Sequence, residues 1–320
     1  MWHPESKSTL RNISKNIEDG VVVLSKLADT YSHMSRDGFE DFYYGDISKE
    51  LISTVEAEGG HATEDDLMNY QIIEDNKFST KIGSLNLTGH SGPSIGGLMV
   101  LKYIDALKNN QDNLLNKLTK VYQERNDQYE FFGNRQKFIA EQIRTISQSS
   151  STIQVNTSDD TNNHFSITFS SGYGSGVLCG NTGMYLNNSL GEIELNPQGF
   201  LGSTKNDRLI SNMSPMIIES KDMLATIGSP GADRISSALA QVILSFLEVE
   251  NWDIAINKPR FHINGDGTIR TEPDSGYSFP NQIITDPNDM YFGGVCVTSY
   301  EKNLFAKGDP RRGNTSWIND

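Results

Sequence analysis

The residues best equipped for chemistry lie at the middle of the chain, in Asp159-Asp160-Thr161-Asn162-Asn163-His164-Phe165-Ser166-Ile167-Thr168, with the glycine-punctuated Gly172-Tyr173-Gly174-Ser175-Gly176 behind them. A threonine hydroxyl is too weakly acidic to attack an amide unaided. It becomes a nucleophile when peptide cleavage frees its own α-amine to act as base. On that reading the bond between Asp160 and Thr161 is a cut site that becomes an active site. The competing reading is a turn, because Asp and Asn side chains bond to nearby backbone and favour turns. His164 reads as a packed strand residue, since in this chemistry the base is the freed amine.

The elements that must position such a site follow from the pattern on either side. With 320 residues the chain can bury one large core or two ordinary ones. Apolar residues recur at helical spacing over 10–17, 24–34, 47–52, 98–107, 114–132 and 138–146, and Gly20 and Gly38 close the first two stretches. Thr63-Glu64-Asp65-Asp66 resembles a capping box with Asp in the last place. A strand is expected over 81–88, and a polar linker at 147–152. Beyond it come short strands at 164–169, 177–178, 184–186, 216–219 and 224–227. Gly228-Ser229-Pro230-Gly231-Ala232-Asp233 then opens a helix with Ile235, Leu239, Val242, Ile243, Phe246 and Leu247 on one face. Strands followed by a buried helix imply a layered α/β (α+β) arrangement, a sheet covered by helices.

Composition narrows the function. Lys+Arg of 27 against Asp+Glu of 41 leaves a net charge of -14, which argues against a nucleic-acid partner. Cys179 and Cys296 form no CxxC pair and the histidines no HExxH, so neither metal nor cofactor is expected. No apolar run approaches the roughly 20 residues that span a bilayer. Met1-Trp2-His3-Pro4-Glu5 has neither the basic start nor the apolar stretch of a signal peptide, so the expected location is cytoplasmic if Met1 is the true start.

Taken together, the stretches resemble the γ-glutamyltransferases, members of the N-terminal-nucleophile hydrolases, over about residues 24–313. In the first half the resemblance rests on Phe42-Tyr43-Tyr44-Gly45, on Gly59-Gly60-His61-Ala62-Thr63-Glu64-Asp65-Asp66, on Gly92-Pro93-Ser94-Ile95-Gly96-Gly97 and on Tyr122-Gln123-Glu124-Arg125. In the second half it rests on Thr182-Gly183-Met184-Tyr185-Leu186-Asn187-Asn188, Met213-Ser214-Pro215, Gly228-Ser229-Pro230-Gly231 with Arg234-Ile235, Pro259-Arg260-Phe261-His262 and Asp309-Pro310-Arg311-Arg312-Gly313.

The resemblance implies a precursor that cuts itself before a threonine into a large and a small fragment, here 1–160 and 161–320, which stay associated in a four-layer αββα sandwich. It implies a γ-glutamyl peptide or poly-γ-glutamate as substrate, water or an amine as acceptor, and an extracellular or cell-surface setting. Carried over by position, Thr161 is the nucleophile, Thr168 orients it, and Gly231 and Ala232 stand where the family has a Gly-Gly pair that supplies oxyanion donors. Ser170, Glu192, Ser211 and Asn212 fall at substrate-binding positions, each differing from the usual residue except Ser211.

Three departures set further expectations. The family has Thr-x-His, whereas Thr161 is separated from His164 by two asparagines. The connection from His164 to Tyr173 is shorter than usual by roughly a dozen residues, about one hairpin, so an inner strand is expected to be missing. The chain also starts about midway through the large fragment, so the sandwich is expected to be incomplete on its N-terminal side, without the arginine that holds the substrate α-carboxylate. A truncated, inactive member of the family is the alternative function.

Overall fold

The computed structural model describes residues 17–18, 21–72, 74, 77–91, 94–108, 113–127, 152–172, 174–192, 208–209, 211–264, 267–313 and 315–318. The chain divides into two units, the first made of Met1–Asp75, Thr145–Ser149 and Tyr173–Ser189, the second of Asn76–Arg144, Ser150–Gly172 and Leu190–Asp320. Residues from both sides of position 160 build the second unit, so the expected fragments and the packing units are different divisions of the chain.

In the first unit β1 (Ile17–Glu18) pairs antiparallel with β2 (Val21–Val22), at the end of the helix expected over 10–17, whose other residues lie outside those described. Helices α1 (Ser25–Asp37), α2 (Asp41–Tyr44), α3 (Asp46–Ala57) and α4 (Glu64–Met68) follow. The capping box forms: the Asp66 N–H donates to Thr63 Oγ1 at 3.2 Å, and the Thr63 N–H donates to the Asp66 carboxylate at 2.8 Å. Each bond satisfies a backbone donor that α4 leaves open. Phe42 meets Tyr43 edge to face at 5.2 Å and Tyr43 stacks on Tyr70 at 6.2 Å, so the aromatic run serves inter-element packing. The 173–189 segment is pinned by Thr30 Oγ1 donating to Thr182 O and by the Asn181 N–H donating to Glu50. In place of the two short strands expected there, Leu178 and Tyr185 form one isolated bridge.

The second unit is built on a six-stranded antiparallel sheet. Its first hairpin is β3 (Lys77–Ile82) and β4 (Leu85–His90), turned by Gly83 at φ 61, where the sequence suggested one strand. Leu85, Leu87 and Gly89 are buried on β4 while their neighbours are not, the period of two expected of a sheet with one core face. Helices α5 (Gly96–Lys108) and α6 (Leu114–Asp127) come next. The helix expected over 138–146 lies outside the described residues.

Two strands then form a separate ribbon, β5 (Thr152–Ser158) and β6 (His164–Ser170), joined by a turn at 159–163. β7 (Met216–Glu219) and β8 (Leu224–Gly228) return to the main sheet, and α7 (Arg234–Val249) and α8 (Trp252–Asn257) follow. A small sheet of β9 (Phe261–Ile263), β10 (Ile269–Thr271) and β11 (Ile283–Ile284) precedes the last hairpin, β12 (Cys296–Tyr300) and β13 (Leu304–Lys307). The strand order of the main sheet is β13-β12-β8-β7-β4-β3.

One face of that sheet makes the core. Leu87, Ile218, Ala225, Ile227 and Val297 pack with Val100, Ile104, Ile235, Leu239 and Ile243 of α5 and α7, all essentially inaccessible to water. Each fully buried Leu or Ile of this kind contributes about 1.5–3 kcal/mol. On the opposite face β8 and β12 present Thr226, Gly228 and Thr298, and the ribbon lies there: Ser158 Oγ meets Thr298 Oγ1 at 2.7 Å and Asn156 Nδ2 donates to Cys296 O at 2.7 Å. The second unit is therefore layered helix, sheet, ribbon. The ribbon turns its polar side chains inward and its apolar ones outward, with Ile153 51% and Phe165 56% exposed.

Candidate functional site

A sheet face lined by hydroxyls and amides is an unusual interior, and it is here that reactive groups collect. Gln154, Asn156 and Ser158 of β5 alternate inward, facing Ser166 and Thr168 of β6. Gln154 Nε2 donates to Ser166 Oγ at 3.0 Å, Ser166 Oγ donates to Asn156 Oδ1 at 2.7 Å, and Thr168 Oγ1 donates to Gln154 Oε1. Buried polar groups must be paired, and these pair one another.

The direction of the ribbon on the sheet identifies its two ends. Ser158 sits over Thr298, whose register partner is Thr226, and Asn156 sits over Cys296, whose partner is Gly228. A Cβ on Gly228 would fall 2.1 Å from the end of the Gln154 side chain, so the absence of a side chain at Gly228 leaves room for the Gln154 amide where it lies. Moving from Ser158 towards Thr152 therefore runs in the same sense as Thr226 towards Gly228. Thr152 stands at the end where the chain leaves β8 through Ser229 and Pro230 into Gly231, Ala232 and α7. It is 8% exposed, and its Oγ1 donates to Ser170 Oγ at 3.1 Å.

That turn is strained and buried. Gly231 has φ 134 and Ala232 has φ 52, a left-handed conformation that costs a non-glycine residue roughly 1–2 kcal/mol. A Cβ at Gly231 would come 3.1 Å from Gly293 Cα. Among the described residues no acceptor is bonded to the Gly231 or Ala232 N–H. Both donors precede the positive end of a helix, where an oxyanion is favoured.

A charged network supports the turn from below. Asp233, the next residue, is buried, pairs with Arg234 and accepts from Tyr122 Oη at 3.2 Å. Burial opposes its charge, but the Arg234 guanidinium and the His262 imidazole outweigh that and hold its carboxyl well below the usual range. Burial drives His262 the other way, towards the neutral imidazole. Its Nδ1 lies 2.7 Å from Ser237 Oγ and its Nε2 3.7 Å from Asp233. This Ser-His-Asp array is wholly buried, with Ser237 4% and His262 1% exposed, so no substrate can reach it. It holds α7 and β9 behind the turn.

The sequence-chosen residues divide between the two ends of the ribbon. Thr161 is exposed in the β5–β6 turn, its N–H donating to Asp159 Oδ1 at 2.9 Å and its Oγ1 accepting from Asn163 Nδ2 at 2.9 Å. Bonds from Asn163 and Thr161 lower the Asp159 pKa to about 2. Asn162 takes φ 70, so the segment is an Asx-stabilised turn. Thr168 lies four residues beyond His164, about 14 Å along β6 at the usual strand rise. The structure does not bring Thr161 to Thr168, nor to Gly231 and Ala232. It does bring Thr168 and Ser170 to the Thr152 end, since Thr152 pairs with Ser170 and Gln154 with Thr168.

Asn212 is buried and accepts from Arg125 Nε at 3.1 Å; Arg125 covers the Tyr122 ring at 5.2 Å, which links Asn212 to the Asp233 network. Ser211 Oγ accepts from the Met213 N–H, and Ser211 O from the Ile95 N–H. Glu192 is 1% exposed. The inner strand expected to be missing after His164 is present before the turn, as β5. In the sequence Thr152 closes a run of serines that reads as linker; the alternation of Gln154, Asn156 and Ser158 after it was the available signal for β5.

The sequence model described as Gamma-glutamyltranspeptidase matches residues 18–140 and 114–317. The chain is 24% identical over 315 residues to the glutathione hydrolase proenzyme of Escherichia coli (strain K12), covering 81% of this chain and 54% of that protein. It is 25% identical over 337 residues to the glutathione hydrolase proenzyme of Bacillus subtilis (strain 168), covering 86% and 56%. It thus spans about half the length of these relatives. Among solved structures, the cephalosporin acylase from Bacillus halodurans has the same fold, with a TM-score of 0.72 at 18% identity over 97% of this chain and 66% of that one. The mixed α/β layers are those of the N-terminal-nucleophile hydrolase fold. With the family model covering most of its length, the chain belongs to the gamma-glutamyltranspeptidase family.

Proposed function

We propose that this chain is a γ-glutamyl hydrolase or transferase whose nucleophile is a threonine, and that the threonine is Thr152. The observation that carries this choice is the common end of the ribbon: the Thr152 hydroxyl and the Gly231 and Ala232 N–H groups, which bond to no acceptor among the described residues, lie where β8 leads into α7. Thr161 is carried away from that turn by the length of the hairpin.

Cleavage between Ser151 and Thr152 frees an α-amine on Thr152. The amine takes the hydroxyl proton as Oγ1 attacks the γ-carbonyl of the substrate. Negative charge developing on the carbonyl oxygen meets the Gly231 and Ala232 N–H donors, an interaction worth about 2.7–4 kcal/mol per donor in comparable sites. Ser170 Oγ, which also accepts from the Gly172 N–H at 3.1 Å, orients Thr152. The γ-glutamyl ester is then released by water or by an amine acceptor. Two relatives named glutathione hydrolase proenzyme support a γ-glutamyl peptide as substrate and a processed precursor; poly-γ-glutamate is the second substrate class.

An inactive chain is favoured by one observation, the exposed apolar outer face of the ribbon, which has no covering layer among the described residues. N-terminal sequencing after long incubation separates the readings. The active reading expects a second fragment that begins with Thr152, turnover of γ-glutamyl-p-nitroanilide, an uncut Thr152→Ala variant and a normally cut Thr161→Ala variant. A fragment beginning with Thr161 would return the nucleophile to the turn. A folded chain that stays at 35.6 kDa would favour inactivity.

A further inference from the structure

A serine with no exposed surface stands at the foot of the Gly231–Ala232 turn. Ser229 follows the last residue of β8 and is 0% exposed. A buried hydroxyl costs free energy unless it is hydrogen-bonded, and this one is bonded twice. It donates to Pro230 O at 2.8 Å and accepts from the Gly294 N–H at 3.1 Å. The turn is thereby tied to the backbone that leads into β12, 65 positions along the chain.

What the hydroxyl holds is one half of a peptide unit. The Pro230 carbonyl and the Gly231 N–H belong to the same planar amide, and across a trans amide the two point in opposite directions. Holding the carbonyl towards Ser229 therefore aims the Gly231 N–H away from it. Gly293 makes room for this arrangement: a Cβ there would lie 2.9 Å from Ser229 Oγ and 3.0 Å from Pro230 O. The next amide is set by the main chain alone, since Gly231 O accepts from the Arg234 N–H at 3.0 Å. No backbone donor does the same for Pro230 O among the described residues; the donor it has is Ser229 Oγ.

We propose that Ser229 is a positioning residue for the oxyanion site: its hydroxyl, with Gly293 leaving space for Pro230 O, fixes the Pro230–Gly231 amide so that the Gly231 N–H is presented to the charge developing on the substrate carbonyl oxygen. This rests on the reading of Gly231 and Ala232 as the oxyanion donors. Ser229 acts through the amide and does not touch the substrate. A donor fixed before the reaction needs no reorganisation as charge develops, which is the source of the effect in such sites.

The sequence supplies the probe, because Pro230–Gly231 is its only Pro-Gly pair. The full chain labelled with carbon-13 at proline carbonyls and nitrogen-15 in glycine gives one amide cross-peak in a spectrum that selects directly bonded pairs. In Ser229→Ala that peak is expected to move or split as the amide is released. It should move less in Ser229→Cys, which keeps a weak donor. With γ-glutamyl-p-nitroanilide, kcat of Ser229→Ala is expected to fall by about tenfold or more, short of the roughly 10²–10³-fold for deleting a donor. KM stays unchanged, and Ser229→Cys recovers part of the loss. With an active wild type, an unmoved peak in Ser229→Ala would overturn this proposal alone, as would a moved peak with kcat intact or a loss carried by KM. A wild-type chain without turnover would overturn the reading of the turn beneath it. If Ser229→Ala does not fold, Ser229→Cys carries both measurements, with the same outcomes deciding.

Discussion

Tyr122 donates its phenolic hydrogen to Asp233 Oδ2 across 3.2 Å, joining α6 to the residue that ends the Gly231–Ala232 turn. Burial pushes the Tyr122 pKa well up, so the phenol remains a donor, while the neighbouring Arg234 keeps Asp233 ionised against its burial. Removing that hydrogen bond in Tyr122→Phe leaves a buried carboxylate short of one partner. Urea denaturation is expected to show a loss of about 1.5–3 kcal/mol, the range for hydrogen bonds to charged groups. A loss under about 0.5 kcal/mol would mean that other donors suffice.

Opposite outcomes are expected at the two residues of the turn. Ala232→Gly keeps the N–H and relieves the left-handed strain at φ 52, so stability rises by about 0.5–1 kcal/mol, with turnover retained. Gly231→Ala introduces a Cβ 3.1 Å from Gly293 Cα at φ 134, where L residues are strained, and is expected to cost about 1–3 kcal/mol. Chemical denaturation of both variants, with γ-glutamyl-p-nitroanilide turnover alongside, checks the pair.

The Asp309-Pro310-Arg311 segment is structural. Arg311 is 4% exposed, and its guanidinium is bonded to Glu272, itself 3% exposed. Arg311→Met strands the Glu272 charge in the interior, while Asp309 keeps Arg260 as its partner, and breaking a buried pair in this way costs about 3–5 kcal/mol. The expected result is a chain that unfolds near the bottom of the urea scale or fails to fold; replacing Arg311 and Glu272 together by Met and Leu should recover part of the loss.

Acid lability should centre on two histidines. Burial lowers the folded-state pKa of both His262 and His164 below 6.5. The unfolded chain then binds more protons below pH 6.5, so stability falls as pH drops from that value towards the folded-state values. The slope is at most about 1.4 kcal/mol per pH unit for each group. Urea midpoints measured from pH 7.5 to 5 are expected to decline, and His262→Gln should flatten the decline. An identical pH slope in His262→Gln would show that the histidine titrates alike in both states.

Much of the frame could be read from sequence because it rests on local rules. The apolar stripe of Ile235, Leu239, Val242 and Ile243 specifies a helix with one buried face, and α7 has it. The Thr63–Asp66 capping box needs only four residues to close. Gly228, Pro230 and Gly231 mark a turn into a helix wherever the sheet around them lies. Thr161 and Thr152 were not separable by such rules. They sit nine positions apart on one hairpin, and a two-residue period says which side chains share a face but not which face meets another sheet. Here the polar face is the inner one and Phe165, Ile167 and Phe169 point outward, the reverse of what hydrophobic alternation implies for a ribbon on a sheet. Only the docking of Ser158 on Thr298 and of Asn156 on Cys296 determined which end of the ribbon meets the Gly231–Ala232 turn. That choice is made by contacts some 140 residues apart in the chain, which no local spacing encodes.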